Sequence, residues 1–223
     1  ILPSVDNIVN GTISLDAIKH VEVADILGRD FVEPNQSLLE RNILNKNILI
    51  TGAGGSIGSE LARQIMKLSP EKVVLMDNSE YNLYNIHLEL SGEKPLVEIV
   101  SSLCTVTNYY QLKQVLLKNK IHTIYHAAAY KHVPMVEMNI VSGTYNNVIG
   151  TYNVAKLADE LGVENMVLIS SDKAVRPTNV MGASKRMSEL ILQAFADKSK
   201  CCFSMVRFGN VLDSAGSVVP LFR

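Results

Sequence analysis

A glycine-rich turn between an apolar run and a helical pattern is the feature that most constrains what this chain can fold into. Residues 47–51 contain a short apolar run that predicts a buried strand, and a helical pattern begins at Ser56. The turn and helix start carry Gly52, Gly55 and Gly58. In such a unit the first glycine permits a tight bend, the second lets the backbone approach a pyrophosphate, and the third lets the helix pack closely on the strand. The segment therefore predicts a dinucleotide-binding unit.

An acidic residue about twenty positions further along supports this prediction. Asp77 ends the next apolar run, residues 73–76. A carboxylate there can accept hydrogen bonds from an adenosine ribose, which favours NAD over NADP as the cofactor. The alternative is an ordinary glycine turn with a solvated aspartate. It is the weaker interpretation, because a strand, a helix and an acidic residue supply the context that the glycine pattern requires.

The composition excludes several classes of protein. With 223 residues, 47% of them hydrophobic and 19% charged, the chain can bury one sizeable core. Its formal net charge of −1 gives no argument for a nucleic-acid partner. Apolar runs stay well short of the ~18–20 residues that a membrane-spanning helix needs. The start has neither a signal peptide nor an initiator Met, so we expect a piece of a longer, cytoplasmic protein.

The cysteines and histidines indicate a reducing compartment and no metal site. Cys104, Cys201 and Cys202 do not make a disulfide framework. We expect Cys201 and Cys202 to be buried, neutral thiols at the start of a strand. The five histidines have no metal-ligand spacing with another His, Cys or carboxylate, so we predict no bound metal.

From residue 47 onward, strand-like runs alternate with helical patterns. The predicted strands are 47–51, 72–77, 96–101, 121–127, 165–170 and 201–207. The predicted helices are 56–68, 79–90, 108–118, 142–161 and 180–197. Strict alternation predicts an α/β fold of the doubly wound Rossmann type, with a parallel sheet of order 3-2-1-4-5-6 and helices on both faces.

Two of these helices carry clear inward faces. In the first helix the expected face is Ile57, Leu61, Ile65 and Leu68. In the second helix Ser79 is the expected N-cap, and the expected face is Leu83, Ile86 and Leu90.

The chain divides into two predicted parts. Residues 1–45 are polar and contain the amphipathic fragments Leu15–Val23 and Leu38–Leu44, which predict a linker arm with short helices. Residues 46–223 form the dinucleotide-binding catalytic domain.

A cluster of reactive side chains follows the fifth predicted strand. Ser171, Asp172 and Lys173 supply a hydroxyl, a carboxylate and an ammonium in succession. The carboxyl end of a central parallel strand is where this fold places its reactive groups, so the three could form an acid–base set. All three reach one substrate only if the chain bends there, because neighbouring side chains of a strand point to opposite sides. The alternative is a solvated Asp–Lys pair.

Several motifs together resemble the extended short-chain dehydrogenase/reductases and, more narrowly, the bacterial UDP-N-acetylglucosamine 4,6-dehydratases of capsule, O-antigen and glycoprotein-sugar synthesis. The broader resemblance rests on Thr51-Gly52-x-x-Gly55-x-x-Gly58, Ala127-Ala128-Ala129 and Lys185. The narrower one rests on Tyr130-Lys131-His132-Val133-Pro134, Asn146-Asn147-Val148-Ile149-Gly150-Thr151, Ser171-Asp172-Lys173-Ala174 and Arg207-Phe208-Gly209-Asn210-Val211. It extends over nearly the whole chain, including Leu27-Gly28-Arg29-Asp30 in the arm.

The resemblance implies a reaction and a role for each reactive residue. C4 of a UDP-hexose is oxidised, water is eliminated across C5–C6, and the hydride returns to C6, with tightly held NAD as the cofactor. Lys173 is the implied base at C5 and Asp172 the implied acid at the C6 hydroxyl. Lys173 must then be partly neutral, which burial and the Lys185 charge would favour. Ser171 is expected to bond O4 and Lys185 to hold the nicotinamide ribose.

The resemblance also implies the contacts of the cofactor and the sugar. The implied cofactor residues are Gly52, Gly55, Ser56, Ile57, Gly58, Asp77, Asn78, Ser79, Val106, Ala127, Ala128, Ala129, Asn147, Ser170, Lys185 and Phe208. Asn147 is expected to order water or backbone. The implied substrate residues are Lys131, Met181 and Asn210. A solvated loop lysine remains an alternative for Lys131, and His126 and His132 are interpreted as structural.

Two positions depart from the wider superfamily. Met181 stands where the superfamily has the catalytic tyrosine, and a thioether cannot act as a base. The long dehydratases are similar in carrying Met there, so a water held by Ser171 and Asp172 is the expected C4-hydroxyl base. Thr105 stands where relatives have an aspartate beside the adenine.

Other functions and assemblies remain open from the sequence. A nucleotide-sugar 4-epimerase or 4-ketoreductase uses the same scaffold, and a non-catalytic dinucleotide-sensing module is a further alternative. The resemblance implies a UDP-sugar substrate, a homo-oligomer that pairs through helices 142–161 and 180–197, and a parent protein anchored at the cytoplasmic face of the inner membrane. It also implies that most of the sugar-nucleotide lid would lie beyond residue 223.

Overall fold

The computed structural model of the chain describes residues 33–92, 97–209 and 211. The chain divides into two compact units, Ile1–Pro34 and Asn35–Arg223, and the elements below belong to the second unit. The predicted fragment Leu15–Val23 lies outside the described residues, so the linker arm stays a prediction. The predicted fragment Leu38–Leu44 overlaps a helix that spans Gln36–Arg41.

Sixteen elements follow one another along the described chain. They are α1 (Gln36–Arg41), β1 (Asn47–Thr51), α2 (Ser56–Lys67), β2 (Lys72–Asp77), α3 (Glu80–Ser91), β3 (Glu98–Leu103), α4 (Tyr109–Asn119), β4 (Thr123–His126), α5 (Val133–Met138), α6 (Ile140–Thr144), a π-helical segment (Tyr145–Ile149), α7 (Gly150–Glu160), β5 (Asn165–Ile169), a 3₁₀ turn (Asp172–Ala174), α8 (Val180–Ala196) and β6 (Cys202–Val206). Within the described ranges, no helix has the length and apolar character of a membrane span.

The predicted Rossmann topology is confirmed. The six strands form one sheet of order β3-β2-β1-β4-β5-β6, and every neighbouring pair is parallel. The strand order reverses beside β1, because β2 and β4 flank it on opposite sides. Thr51 at the end of β1 lies opposite Met76 and His126. The carboxyl ends of β1, β2 and β4 therefore meet at one edge of the sheet.

The core lies on both faces of this sheet. All five residues of β1 are buried, as a central parallel strand covered by helices on both sides requires. Leu49 belongs to the core cluster that includes Leu112, Leu157 and Leu192, from α4, α7 and α8. Its neighbours Ile48 and Ile50 belong to the opposite cluster, packed against α2 and α3. Successive side chains of the strand therefore supply two separate cores.

The inward face of α3 is as predicted, and that of α2 is confirmed in part, because Ile65 is buried and Leu61 and Leu68 pack against the same core cluster. Ser79 caps α3 by accepting a hydrogen bond from the Asn82 N–H, and Leu83, Ile86 and Leu90 are buried. In α2 the predicted Ile57, Leu61 and Leu68 are only partly buried. The buried residues are Gly58, Ala62, Ile65 and Met66. Small residues face the strand because α2 packs too closely for large side chains there.

The predicted helix 142–161 is interrupted, and one short helix before it was missed. The helical stretch begins at Ile140 and passes through the π-helical segment into α7. The π-helical segment buries Asn146 and Asn147, two polar residues that a helical apolar pattern does not predict. The missed helix, α5, is only six residues long. The third strand begins at Glu98, two residues after its predicted start at 96.

Gly58 should be intolerant of any side chain. A Cβ added there would overlap the carbonyl oxygen of Gly52, which belongs to the backbone of the turn. We expect Gly58→Ala to lower the free energy of unfolding by about 1–3 kcal/mol or more, as over-packing does in a rigid core. Urea denaturation of the purified protein measures this.

Gly92→Ala is the matched control. Gly92 has helical φ and ψ of −79° and −20°, and a Cβ added there would lie 3.7 Å from the Glu89 carbonyl oxygen. We expect it to change the free energy of unfolding by less than about 1 kcal/mol. Equal effects of the two substitutions would show that the close approach at Gly58 is not a constraint.

Candidate active site

The glycine turn is held tightly by the segment after β4 and by α3, which pack against it. Gly52 has a φ of +67°, and a Cβ added there would lie 2.8 Å from the Cα of Ala128, just after β4. A Cβ added to Gly54 would lie 2.5 Å from the Cβ of Asn82 in α3. Gly54 was not singled out from the sequence, because its constraint comes from a helix that packs on it. The backbone of the turn therefore has almost no freedom to shift.

The helix that leaves the turn begins without a capping side chain. Gly55 is the N-cap of α2, and it forms no side-chain capping bond. That turn contains no acidic residue. The N–H groups of a helix start and the positive end of its dipole form a suitable place for a phosphate.

Asp77 connects the end of β2 to the glycine turn. One carboxylate oxygen, Oδ2, accepts a hydrogen bond from the Gly54 N–H at 2.9 Å. The other, Oδ1, accepts one from the Ser79 N–H, also at 2.9 Å. The two N–H groups fix the orientation of a nearly buried carboxylate, which sequence reasoning had described only as a ribose partner.

A cavity of about 190 Å³ opens beside this carboxylate, and we call it the first cavity. Its lining includes nine predicted cofactor residues: Gly52, Gly55, Asp77, Asn78, Ser79, Val106, Ala127, Ala128 and Ala129. The lining residues that sequence reasoning missed as cofactor contacts are Met76, Asn82, Cys104, Thr105, Tyr130 and Asn146. Thr105 lines the cavity although it departs from the superfamily pattern. Position in the loops after β3 and β4 was the available signal for Cys104 and Tyr130.

A second cavity, of about 480 Å³, lies between the glycine turn and the segment that follows β4. Its lining includes the predicted substrate residue Lys131 and seven predicted cofactor residues: Gly52, Gly55, Ser56, Ile57, Gly58, Ala127 and Ala129. His132 also lines it, at the exposed N-cap of α5, and the structural role expected for this histidine stays a prediction. The remaining side of this cavity comes from α5, α6 and the residue between them, through Met135, Val136, Asn139, Ser142 and Gly143.

The two cavities meet over the turn, and their residues fit an adenine dinucleotide. They share Gly52, Gly55, Ala127, Ala129 and Tyr130. At Gly52 an added Cβ would meet the backbone of Ala128, so the turn has no room for a side chain. An oriented carboxylate lines the first cavity and an uncapped helix start borders the second. This is the donor and acceptor set that a dinucleotide requires.

A buried chain of hydrogen bonds joins the turn to the helices behind it. The Ala128 N–H donates to Thr51 Oγ1, which lies 2.7 Å from His126 Nδ1. His126 Nε2 lies 3.0 Å from Thr151 Oγ1, whose hydroxyl donates to the Asn147 carbonyl. Burial, with a smaller contribution from the Lys185 charge, lowers the pKa of His126 to about 3. A neutral histidine with two hydroxyl partners agrees with the structural role predicted for His126.

The reactive trio lies on a bend, as its chemistry requires. β5 ends at Ile169, and a 3₁₀ turn follows, capped by Ser171, whose Oγ accepts a hydrogen bond from the Lys173 N–H. The Asp172 N–H donates to the carbonyl of Phe208, just beyond β6. Neither cavity includes Ser171, Asp172 or Lys173 among the described residues that line it.

The charges of the trio differ from those the predicted roles require. Asp172 Oδ1 accepts hydrogen bonds from Ser171 Oγ at 2.9 Å and from Lys173 Nζ at 3.3 Å. The Ser171 hydroxyl, followed by Lys173, lowers the pKa of Asp172, so this structure holds a carboxylate where an acid was expected. Lys173 is half-buried and not deeply buried, because it lies on the bend.

Lys185 and Ser170 are buried and directed at protein partners. Lys185 Nζ donates to the Ile169 carbonyl at 2.6 Å. Burial lowers the pKa of Lys185 to about 8, against the opposing effect of Glu189. Ser170 Oγ donates to Glu189 Oε1 at 2.7 Å, so its hydroxyl hydrogen is not directed at a cofactor. Ser170 follows the last residue of β5, and Lys185 reaches the same strand end from α8.

Asn147 orders backbone, one of its two expected roles. Its side-chain amide accepts from the Tyr130 N–H and donates to the Tyr130 carbonyl, at 2.8 and 3.0 Å. Asn147 therefore holds Tyr130, which lines both cavities. Met181, predicted as a substrate residue, is buried in the first turn of α8, so it offers little surface to a substrate here.

The remaining predicted residues divide between described and undescribed positions. Phe208 is partly buried, and its carbonyl accepts a hydrogen bond from the Asp172 N–H. Asn210 lies outside the described residues.

Cys201 is buried, and burial raises its pKa to about 12. Cys202 is exposed, contrary to expectation, because it points outward from the edge strand β6. Within the described ranges, no group of three or more His, Cys, Asp or Glu side chains could hold a metal.

A buried ionic cluster at the end of β5 was missed. The fully buried Glu189 accepts hydrogen bonds from Ser170, from Arg207 through Nε and Nη2, and from Arg186. Arg207, with smaller contributions from Ser170 and Arg186, lowers the pKa of Glu189 to about 2. The available signal was the i, i+4 spacing of Glu189 from Lys185 on one helix.

Comparison with known proteins places the chain in a family. The family described as "Polysaccharide biosynthesis protein" matches residues 48–223. The chain belongs to this polysaccharide biosynthesis family. Over its whole length it is 46% identical to the capsular polysaccharide biosynthesis protein CapD of Staphylococcus aureus, of which it covers 37%.

Two further curated relatives are enzymes that act on UDP-sugars. Over 80% of the chain, identity is 33% with a UDP-N-acetylglucosamine 4,6-dehydratase (inverting) of Campylobacter jejuni. Over the same share it is 31% with a UDP-glucose 4-epimerase of Rickettsia bellii. The chain covers 53% of each of these relatives, so it spans between about a third and a half of the proteins it matches.

His126 should make stability depend on pH. Its pKa of about 3 in the folded protein lies below the ordinary value of 6.5, so the unfolded chain takes up a proton that the folded protein does not. Stability is full above pH 6.5 and falls as the pH decreases, by about 2 kcal/mol between pH 6.5 and 5 from this group alone. His126→Gln should flatten this part of the profile in urea denaturation, whereas His132→Gln, at an exposed position, should not. An unchanged slope in His126→Gln would contradict the assignment.

Proposed function

We propose that the protein catalyses the NAD-dependent 4,6-dehydration of a UDP-N-acetylhexosamine, with UDP-N-acetylglucosamine as the substrate. The observation that carries the proposal is the Ser171-Asp172-Lys173 bend at the carboxyl end of β5, in a sheet whose β1 turn fits a dinucleotide. The family and the dehydratase relative agree with this reaction.

The residues around the two cavities would hold NAD. Asp77 would accept hydrogen bonds from the adenosine ribose in the first cavity, and the start of α2 at Gly55 and Ser56 would face the pyrophosphate. Lys185 would orient the nicotinamide ribose, for which it would exchange its bond to the Ile169 carbonyl. When bound, NAD supplies hydride acceptance from C4 and hydride donation to C6.

The Asp172–Lys173 pair would perform the elimination. The two side chains are in contact at 3.3 Å, so one proton can pass between them. Without substrate Asp172 holds a carboxylate beside the Lys173 side chain, since the pKa of Asp172 is lowered. A substrate that displaces water from the pair disfavours both charges and would shift the proton to Asp172. The neutral amine of Lys173 would then remove the C5 proton, and the carboxylic acid of Asp172 would protonate the leaving C6 hydroxyl.

The C4 hydroxyl needs a separate base, because the buried thioether of Met181 has no proton-accepting nitrogen or oxygen. We propose a water held by Ser171 and Asp172, which lie side by side with their oxygens 2.9 Å apart. Lys131, exposed at the second cavity, would contact the substrate diphosphate, and Phe208 and Asn210 would contribute after β6.

Exposed apolar side chains on the helices support a proposal for the assembly of the protein. Exposed apolar side chains follow the helical stretch from α6 to α7, among them Val141, Tyr145 and Tyr152. Met187 and Leu190 are exposed on α8. We propose that these helices pair with a second copy of the chain. We further propose that the catalytic domain, residues 46–223, works at the cytoplasmic face of a membrane, to which a longer parent protein would anchor it.

The proposed reaction should be visible in the product mass and in the position of a label. Incubation with UDP-N-acetylglucosamine should give a product lighter by one water, without net consumption of NAD. With deuterium at C4 of the substrate, the label should appear at C6 of the product, as mass spectrometry of fragments shows. An epimerised product of unchanged mass would support the 4-epimerase, and stoichiometric cofactor consumption would support the 4-ketoreductase.

A non-catalytic dinucleotide-binding module is the second candidate. The exposure of Asp172 and Lys173 and the absence of the trio from the described cavity linings favour it. NAD binding with no turnover of any UDP-sugar would support this candidate over the dehydratase.

Lys173→Ala should abolish product formation, because it removes the C5 base and the source of the proton on Asp172. NAD affinity should stay within about twofold of wild type, since Lys173 lies outside both cavity linings. Lys198→Ala, at an exposed lysine after α8, is the control and should retain full activity. Near-normal turnover by Lys173→Ala would defeat the assignment of the base.

A further inference from the structure

We propose that Glu189 is a positioning residue for the reactive trio, acting by fastening the ends of β5 and β6 to α8. This proposal rests on the function proposed above for Ser171, Asp172 and Lys173. It concerns a residue that touches neither cavity and that lies one helical turn after Lys185.

The carboxylate of Glu189 is fully buried and receives four hydrogen bonds. Ser170 Oγ and Arg207 Nε donate to Oε1, both at 2.7 Å. Arg207 Nη2 and Arg186 Nη1 donate to Oε2, at 2.6 and 2.9 Å. A fully buried charge is retained only where such partners compensate its lost hydration. Three of the four bonds come from the ends of two strands and not from α8 itself.

Glu189 binds Ser170 and Arg207, which lie beside the backbone hydrogen bonds between the trio's segment and the end of β6. The Ser170 N–H donates to the Val206 carbonyl at 2.8 Å, and the Asp172 N–H donates to the Phe208 carbonyl at 3.1 Å. Arg207 lies between those two acceptors. A shift of Arg207 would therefore move the Phe208 carbonyl that accepts the Asp172 N–H. A shift of Ser170 would move Ser171, which follows it in the chain.

The helix holds the same short segment at a second point. Lys185 Nζ donates to the Ile169 carbonyl, and Glu189, four residues later on α8, receives the Ser170 hydroxyl. Consecutive residues 169 and 170 are thus bound by one face of one helix. This arrangement fixes where β5 stops and the bend begins, which decides where Asp172 and Lys173 point. Displacing reacting groups by about 1 Å can cost about 100-fold in rate.

The test compares Glu189→Gln with Glu164→Gln. Glutamine keeps the size of the side chain and removes the charge that holds Arg207. Glu164 is a matched control because it precedes the amino end of β5 and forms an exposed ion pair with Lys46 at 2.7 Å. The readouts are kcat and KM for the UDP-sugar, the affinity for NAD, and hydrogen exchange of peptides that contain residues 48–58 and 169–175.

We expect Glu189→Gln to lower kcat by about 100-fold, with KM and NAD affinity within about threefold of wild type. Exchange should increase in 169–175 and stay unchanged in 48–58, and Glu164→Gln should change none of these quantities. A kcat within about twofold of wild type, or unchanged exchange in 169–175, would overturn the proposal. Equally increased exchange in both segments would also overturn it, since that outcome marks a general loss of stability.

The experiment also tests the proposal if Glu189→Gln does not fold, or if the wild-type protein does not dehydrate UDP-sugars. If Glu189→Gln does not fold, Arg207→Lys replaces it, because it retains the positive charge and loses the two-pronged contact; the same readouts and criteria apply. If the wild-type protein does not dehydrate UDP-sugars, the proposed function fails, and hydrogen exchange still tests Glu189. Locally increased exchange in 169–175 would then support the fastening role, and its absence would overturn it.

Discussion

The close approach of backbone to backbone at the glycine turn is the constraint on which the rest of the structure depends. Gly58 of α2 lies against the Gly52 carbonyl, and Gly52 lies against the backbone of Ala128. These contacts bring the start of a helix, the end of β1 and the end of β4 together without intervening side chains. Both described cavities border this junction, so the shape of the space proposed for a dinucleotide depends on these glycines.

Polar groups behind the turn support it. Asp77 binds the N–H groups of Gly54 and Ser79, and the Thr51–His126–Thr151 chain crosses from β1 through β4 to α7. The π-helical segment turns Asn147 toward the backbone of Tyr130. At the other side of the sheet, Glu189 holds the ends of β5 and β6. Each buried polar group has partners from more than one element, so the edge of the sheet is fixed as a unit.

Local pattern was enough to predict the fold, and the family resemblance supplied most of the predicted residues of the first cavity. Apolar runs bounded by turns located all six strands, and their alternation with helices gave the order 3-2-1-4-5-6. Contacts made by packing were not predictable in the same way. Gly54 is constrained only because α3 packs on it, the inward face of α2 is set by the closeness of β1, and Glu189 acquires its partners from two strands. The charge of a carboxyl group also depends on its folded surroundings: the Ser171 hydroxyl and Lys173 lower the pKa of Asp172, and these contacts were not part of its predicted role as an acid.

Titration calorimetry with NAD and NADP tests the central claim, that the glycine turn and Asp77 form a site for an adenine dinucleotide with a free ribose. The account predicts that NAD binds at least about tenfold more tightly than NADP, because the carboxylate of Asp77 would repel a 2′-phosphate. Equal or tighter binding of NADP, or no binding of either dinucleotide, would contradict it.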